Sequence, residues 1–146
     1  MNATLLYRIA AVLLILFALG HTVGFLKFKP PTPEGLAVRD AMNNVRFQLR
    51  GAQFSYGGFY TGFGLFATAY LLFAAFLAWH LGGLASTNPQ AIGMLAWAFF
   101  TLQLASLVLS WIYFLAPPVV LSGLIAFCTG WAAWLVRGAA AGGTLR

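Results

Sequence analysis

A chain of 146 residues that is 62% hydrophobic and 7% charged has too little polar surface for a water-soluble domain, which carries about 25% charged residues. Its net charge of +6 would suit nucleic acid, but no soluble basic domain exists to present that charge. Lysines and arginines at membrane edges instead set topology and meet lipid headgroups. The single cysteine, Cys128, excludes an intrachain disulfide framework, a CxxC redox pair and a thiolate metal cluster.

The first apolar run, about residues 5–26, is plain aliphatic sequence until Gly20, His21, Thr22 and Gly24. It exceeds the 7–15 residues of a signal-peptide core and follows a weakly charged start, so it is expected to remain as a first helix. Lys27 and Lys29 then mark an interface, and Pro30, Pro31 and Pro33 stop the helix. Thr32-Pro33-Glu34 has the order of a helix start: a capping hydroxyl, proline in the first turn, then an acid facing the helix dipole. Val38, Met42, Val45 and Leu49 recur at helical spacing beside a stripe of Arg39, Asn43, Arg46 and Arg50. This pattern predicts an amphipathic surface helix over about 33–50.

The second apolar run, about 56–81, carries Gly57, Thr61, Gly64 and Thr68 on one face. Gly58 and Gly62 form a GxxxG pair beside it, a packing surface for a neighbouring helix or a second copy of the chain. A third run, about 91–115, bears one polar line of Gln103, Ser106, Ser110 and Tyr113. That line is expected to face other helices, because unpaired polar groups in hydrocarbon are costly. Pro117 and Pro118 lead into the fourth run, about 118–136, with Trp131 and Trp134 suited to an interfacial belt. The Gly/Ala-rich stretch 138–146 is expected to be a mobile tail.

Spanning a bilayer takes about 20 apolar residues, and backbone groups in lipid must pair within their own segment. The expected fold is therefore all-α, a transmembrane four-helix bundle with an amphipathic surface helix in the first loop, forming one domain over residues 1–137. Alternating helix directions bring His21, Tyr56, Tyr60 and Tyr113 to the first-loop side, where Arg39, Asp40, Arg46 and Arg50 also lie. These eight residues are the expected ligand-binding set. His80 falls at the other bilayer face, roughly 25 Å from His21 by helical rise, so the two histidines are not expected to share a haem. No catalytic triad, metal-ligand spacing or phosphate-binding glycine loop is present, and no cofactor is expected.

The blocks GHTVG (20–24), RDAM (39–42), SYGGFYTGFG (55–64) and SWIYF (110–114) resemble those of a bacterial family of uncharacterised four-helix membrane proteins. The likeness spans about residues 5–136; it implies the fold class and carries no activity. A weaker similarity is to the membrane-associated eicosanoid and glutathione enzymes, whose glutathione-binding arginines lie in a motif that Arg46–Gln53 matches only loosely. The leading functional expectation is a bacterial inner-membrane protein binding a lipid-like ligand, a phospholipid, isoprenoid or quinone, at the first-loop face. Five Lys/Arg in that loop place it in the cytoplasm by the positive-inside rule. The alternatives are a structural or assembly subunit packed through Gly58 and Gly62, and an intramembrane isomerase or glutathione-type transferase using His21 with Asp40.

Overall fold

Four stretches fold as α-helices long and apolar enough to cross a membrane. They occupy α1 (Ala3–Lys27), α3 (Tyr56–Thr87), α4 (Gly93–Tyr113) and α5 (Ala116–Gly143), with the short α2 (Pro33–Asn44) in the first loop. The structure, a computed structural model, describes residues 2–143, with side chains through residue 139. In the α1, α3 and α4 spans only 22% of the most apolar window is buried, against 44% in α5. Most of the Leu, Phe and Trp side chains therefore point outward, which is stable only where lipid is the solvent. The protein is an all-α, four-helix, multi-pass membrane protein.

Two boundaries differ from expectation for local reasons. The α3 helix runs to Thr87, through Gly82 and Gly83, and ends where Asn88 caps a 3-10 turn (Pro89–Ile92) by accepting from the Ala91 N–H at 3.2 Å. The α5 helix continues to Gly143, because the alanines after Gly138 favour helix strongly. The tail expected over 138–146 is thus helical as far as Gly143, and residues 144–146 lie outside the described residues.

The surface helix is the larger correction. It was expected over 33–50 but ends at Asn44, and residues 46–55 form a β-hairpin, β1 (Arg46–Leu49) against β2 (Ala52–Ser55). The expected start is present: Thr32 Oγ1 accepts from the Gly35 N–H at 3.2 Å, with proline in the first turn and Glu34 behind it. The expected end fails because residues 46–55 also satisfy a period of two. Phe47, Leu49, Ala52 and Phe54 alternate with Arg46, Gln48, Gln53 and Ser55, pairing Phe47 with Phe54 and Gln48 with Gln53. Arg50 and Gly51, both at positive φ (52° and 84°), close the hairpin in two residues, the geometry whose twist matches paired strands. Arg46 and Arg50 therefore lie off the helical stripe of Arg39 and Asn43.

The chain divides into two compact units. One comprises the chain up to Phe17 together with Leu71 onward; the other is Ala18–Tyr70. In the first, the core is built from small, aliphatic and a few aromatic side chains: Leu6, Tyr7, Ala10 and Leu14 of α1, Ala74, Ala78 and Leu81 of α3, Ala96 and Phe99 of α4, and Ile125, Ala132 and Val136 of α5. Alanine and glycine let helices approach closely where apolar burial gives no drive between them. Gly130 of α5 lies under the Phe100 ring of α4, 2.7 Å from where a Cβ would stand. The polar line of α4 turns inward as expected at Gln103 and Ser110, and Ser110 shares a 3.0 Å hydrogen bond with Ser122 of α5. Tyr113, one turn further on, is exposed.

Candidate functional site

The Ala18–Tyr70 unit holds seven of the eight expected ligand-binding residues, and its architecture follows from how α1 meets α3. Gly64 has no side chain, so the Phe25 ring of α1 sits directly over it, 2.6–2.8 Å from where a Cβ would be. His21, one turn earlier, places Nε2 3.0 Å from the Gly64 carbonyl. A carbonyl only accepts, so Nε2 carries the hydrogen and donates it. Thr22 and Thr68 complete the seam, with their hydroxyls 2.8 Å apart and each close to a carbonyl one turn back in its own helix. The stripe Gly57, Thr61, Gly64 and Thr68 is thus a packing face, as its spacing predicted. His21 is part of that packing.

Above the seam, α2 lies against the start of α3. The Asn43 side chain occupies the space a Cβ on Gly57 would need, and Ser55 caps α3 by accepting from the Gly58 N–H at 3.0 Å. The end of α1, the proline turn, α2 and the first turns of α3 enclose a cleft of about 490 Å³. Its apolar wall includes Phe25, Leu26, Phe28 and Met42; its polar groups are Arg39, Asp40, Asn43, Tyr60 and Thr61. Arg39 is steadied by a long hydrogen bond, 3.4 Å, from one terminal nitrogen to the Phe28 carbonyl. Among the described residues neither Asp40 nor Glu34 forms an ion pair, and no group of His, Cys, Asp or Glu could hold a metal ion.

Of the expected set, Arg39, Asp40 and Tyr60 line this cleft together. His21 adjoins it through Phe25, ring centroids 5.1 Å apart, and Phe25 in turn meets the Tyr60 ring edge-on at 6.5 Å. The other three residues of this unit do not line the cleft. Tyr56 packs on Phe47 at 5.0 Å in an aromatic cluster with Phe54 and Phe59. Arg50 forms the hairpin turn. Arg46 lines a separate groove of about 520 Å³ with Gln53, Ser55, Gly58, Phe59 and Gly62. Tyr113 belongs to the other unit. Sequence reasoning passed over Asn43 and Thr61 as groups lining the cleft. The available signal was the small-residue face of α3, since whatever sits opposite Gly57 and Thr61 must come close to the backbone.

No protein-family model matches the chain, and no curated protein or solved structure is similar to it at a significant level.

Proposed function

We propose that this protein of the bacterial inner membrane holds one lipid-like amphiphile, a phospholipid, isoprenoid or quinone, in the cleft beside α2, with the first loop in the cytoplasm. The observation that carries the reading is the composition of that cleft. One guanidinium, one carboxylate, an amide and two hydroxyl side chains share it with Phe25, Leu26, Phe28 and Met42. A few polar groups on an otherwise apolar wall, in a space of 300–1,000 Å³, characterise small-molecule sites. Here the apolar wall is continuous with membrane-spanning helices, so a molecule with a polar head and a hydrocarbon tail matches both parts. Arg39 supplies the fixed positive charge, and Asn43, Thr61 and Tyr60 supply neutral hydrogen bonds.

The test is lipid extraction and mass spectrometry on detergent-purified protein. The wild type is expected to retain a species that Arg39→Ala loses by about tenfold or more, since hydrogen bonds to a charged group contribute roughly 1.5–3 kcal/mol. Tyr60→Phe should lose less. Equal retention by folded Arg39→Ala and Asn43→Ala proteins would sink the reading.

A second reading, a non-catalytic assembly subunit, is favoured by the groove along Gly58 and Gly62. A Cβ built on Gly62 meets nothing within 4 Å, and one on Gly58 meets only Ser55 Oγ at 3.3 Å. This GxxxG pair is unused within its own unit, as an interface with a second helix would require. Gly62→Leu is expected to abolish crosslinked oligomers in membranes while leaving the retained lipid unchanged. Oligomers that persist would dismiss this reading.

A further inference from the structure

The cation nearest the start of α1 is placed unlike the other described cations. Arg8 stands five residues into α1, about 7.5 Å along its axis, where a long apolar run begins. Its guanidinium is planar and bears only N–H donors. The carbon Cζ lies 3.3 Å from the centroid of the Trp79 ring of α3, so the group rests on that ring. Gly82, one turn later, lets α1 come close: a Cβ there would stand 3.3 Å from the Thr4 carbonyl, 3.3 Å from Tyr7 Cβ and 3.5 Å from Arg8 Nε. Position and orientation are therefore set by packing.

Among the described residues of this unit no carboxylate answers the charge. Both carboxylate side chains, Glu34 and Asp40, belong to the Ala18–Tyr70 unit, and the remaining described residues contain none. One terminal nitrogen of Arg8 is buried with no hydrogen-bond partner in the protein, and so is the hydroxyl of the fully buried Tyr7. An arginine stacked on an indole still has its outer N–H edge to give, and the stack does not replace hydrogen bonds to that edge. A buried donor left unmet is costly. Among the described residues the charge of this guanidinium is left without an anionic partner near the membrane edge.

We propose that Arg8, laid on Trp79 and steered by the close approach at Gly82, binds the phosphate of an anionic phospholipid in the leaflet on the N-terminal side. The planar guanidinium presents two parallel N–H groups to two phosphate oxygens, while Trp79 and its apolar neighbours meet the glycerol and upper acyl chain. The depth suits this role, because an arginine side chain within about two turns of a span's end reaches the headgroup level. This site is separate from the cleft at α2 and does not depend on it.

The experiment uses full-length protein carrying Arg39→Ala, so that the cleft does not contribute, in nanodiscs of mixed phosphatidylcholine and phosphatidylglycerol. Native mass spectrometry then reads the bound phosphatidylglycerol relative to the bulk ratio. Enrichment is expected with Arg8 present and is expected to fall about tenfold or more in Arg8→Gln. Arg8→Lys keeps the charge without the planar fork, and should still lose several-fold. It also serves as the measurement if Arg8→Gln does not fold. Trp79→Leu should fall between wild type and Arg8→Gln. Undiminished enrichment in folded Arg8→Gln, or in Arg8→Lys, overturns the proposal. Excess inorganic phosphate is expected to leave the lipid bound; displacement by it would overturn the lipid as the source of the anion.

Discussion

Gly64→Leu is expected to destabilise the protein by about 1–3 kcal/mol, the usual cost of forcing extra volume into a packed contact, and to reduce lipid retention in the same preparation. The cause is local. The first atom of any side chain at this position meets three atoms of the Phe25 ring at 2.6–2.8 Å. Gly64→Ala already asks that ring to move by more than a few tenths of an ångström, and should cost less than leucine because it adds less volume. Leucine must displace the ring. Phe25 stacks on His21 and meets Tyr60, so its displacement disturbs both the seam and the cleft wall. The check is a detergent-denaturation titration with lipid analysis on the same samples. Gly64→Leu with Phe25→Ala should recover most of the stability, because the two changes roughly conserve volume. If the double variant is no better than the single, the Phe25–Gly64 contact is not what the glycine provides.

Gly130→Leu is expected to destabilise by a similar amount, about 1–3 kcal/mol, through a different ring. Here the added Cβ meets Phe100 at 2.7, 2.9 and 3.2 Å between α5 and α4. Its expected signature differs from that of Gly64→Leu. The cleft is lined wholly by residues of the Ala18–Tyr70 unit, so folded Gly130→Leu protein should retain its lipid at the wild-type level. Comparing the two variants therefore separates general loss of helix packing from loss of the cleft. Lipid loss in Gly130→Leu equal to that in Gly64→Leu would mean that retention reports stability alone, and the cleft reading would fall.

Residues 46–55 illustrate where reading the chain stops short. Val45 and Leu49 continue a helical spacing begun at Val38, while Phe47, Leu49, Ala52 and Phe54 keep a strand spacing. Both periods fit a stretch this short. The Arg50-Gly51 pair was the signal that discriminated, because a two-residue loop ending in glycine between alternating segments favours a hairpin. His21 makes a similar point in the other direction. A lone intramembrane histidine invites a chemical role, and only its 3.0 Å approach to the Gly64 carbonyl identifies a packing bond.

What the residues determined unaided was the solvent. Stretches with almost no charge must satisfy their backbone internally and turn their apolar side chains to lipid, so the number of spans, the helix start at Thr32 and the packing stripe Gly57–Thr68 were all legible in composition and spacing. Tertiary structure alone decided which polar groups share a cavity. Arg39, Asp40, Asn43 and Tyr60 come together because α2 is short enough to lie over the small face of α3, whereas Arg46 and Arg50 are carried away by the hairpin. It also decided that Arg8 rests on Trp79, a pair 71 positions apart in the chain. Periodicity is a property of one helix and is printed in its own residues. Proximity between segments depends on where each ends, and a single glycine or turn can move that point by several residues.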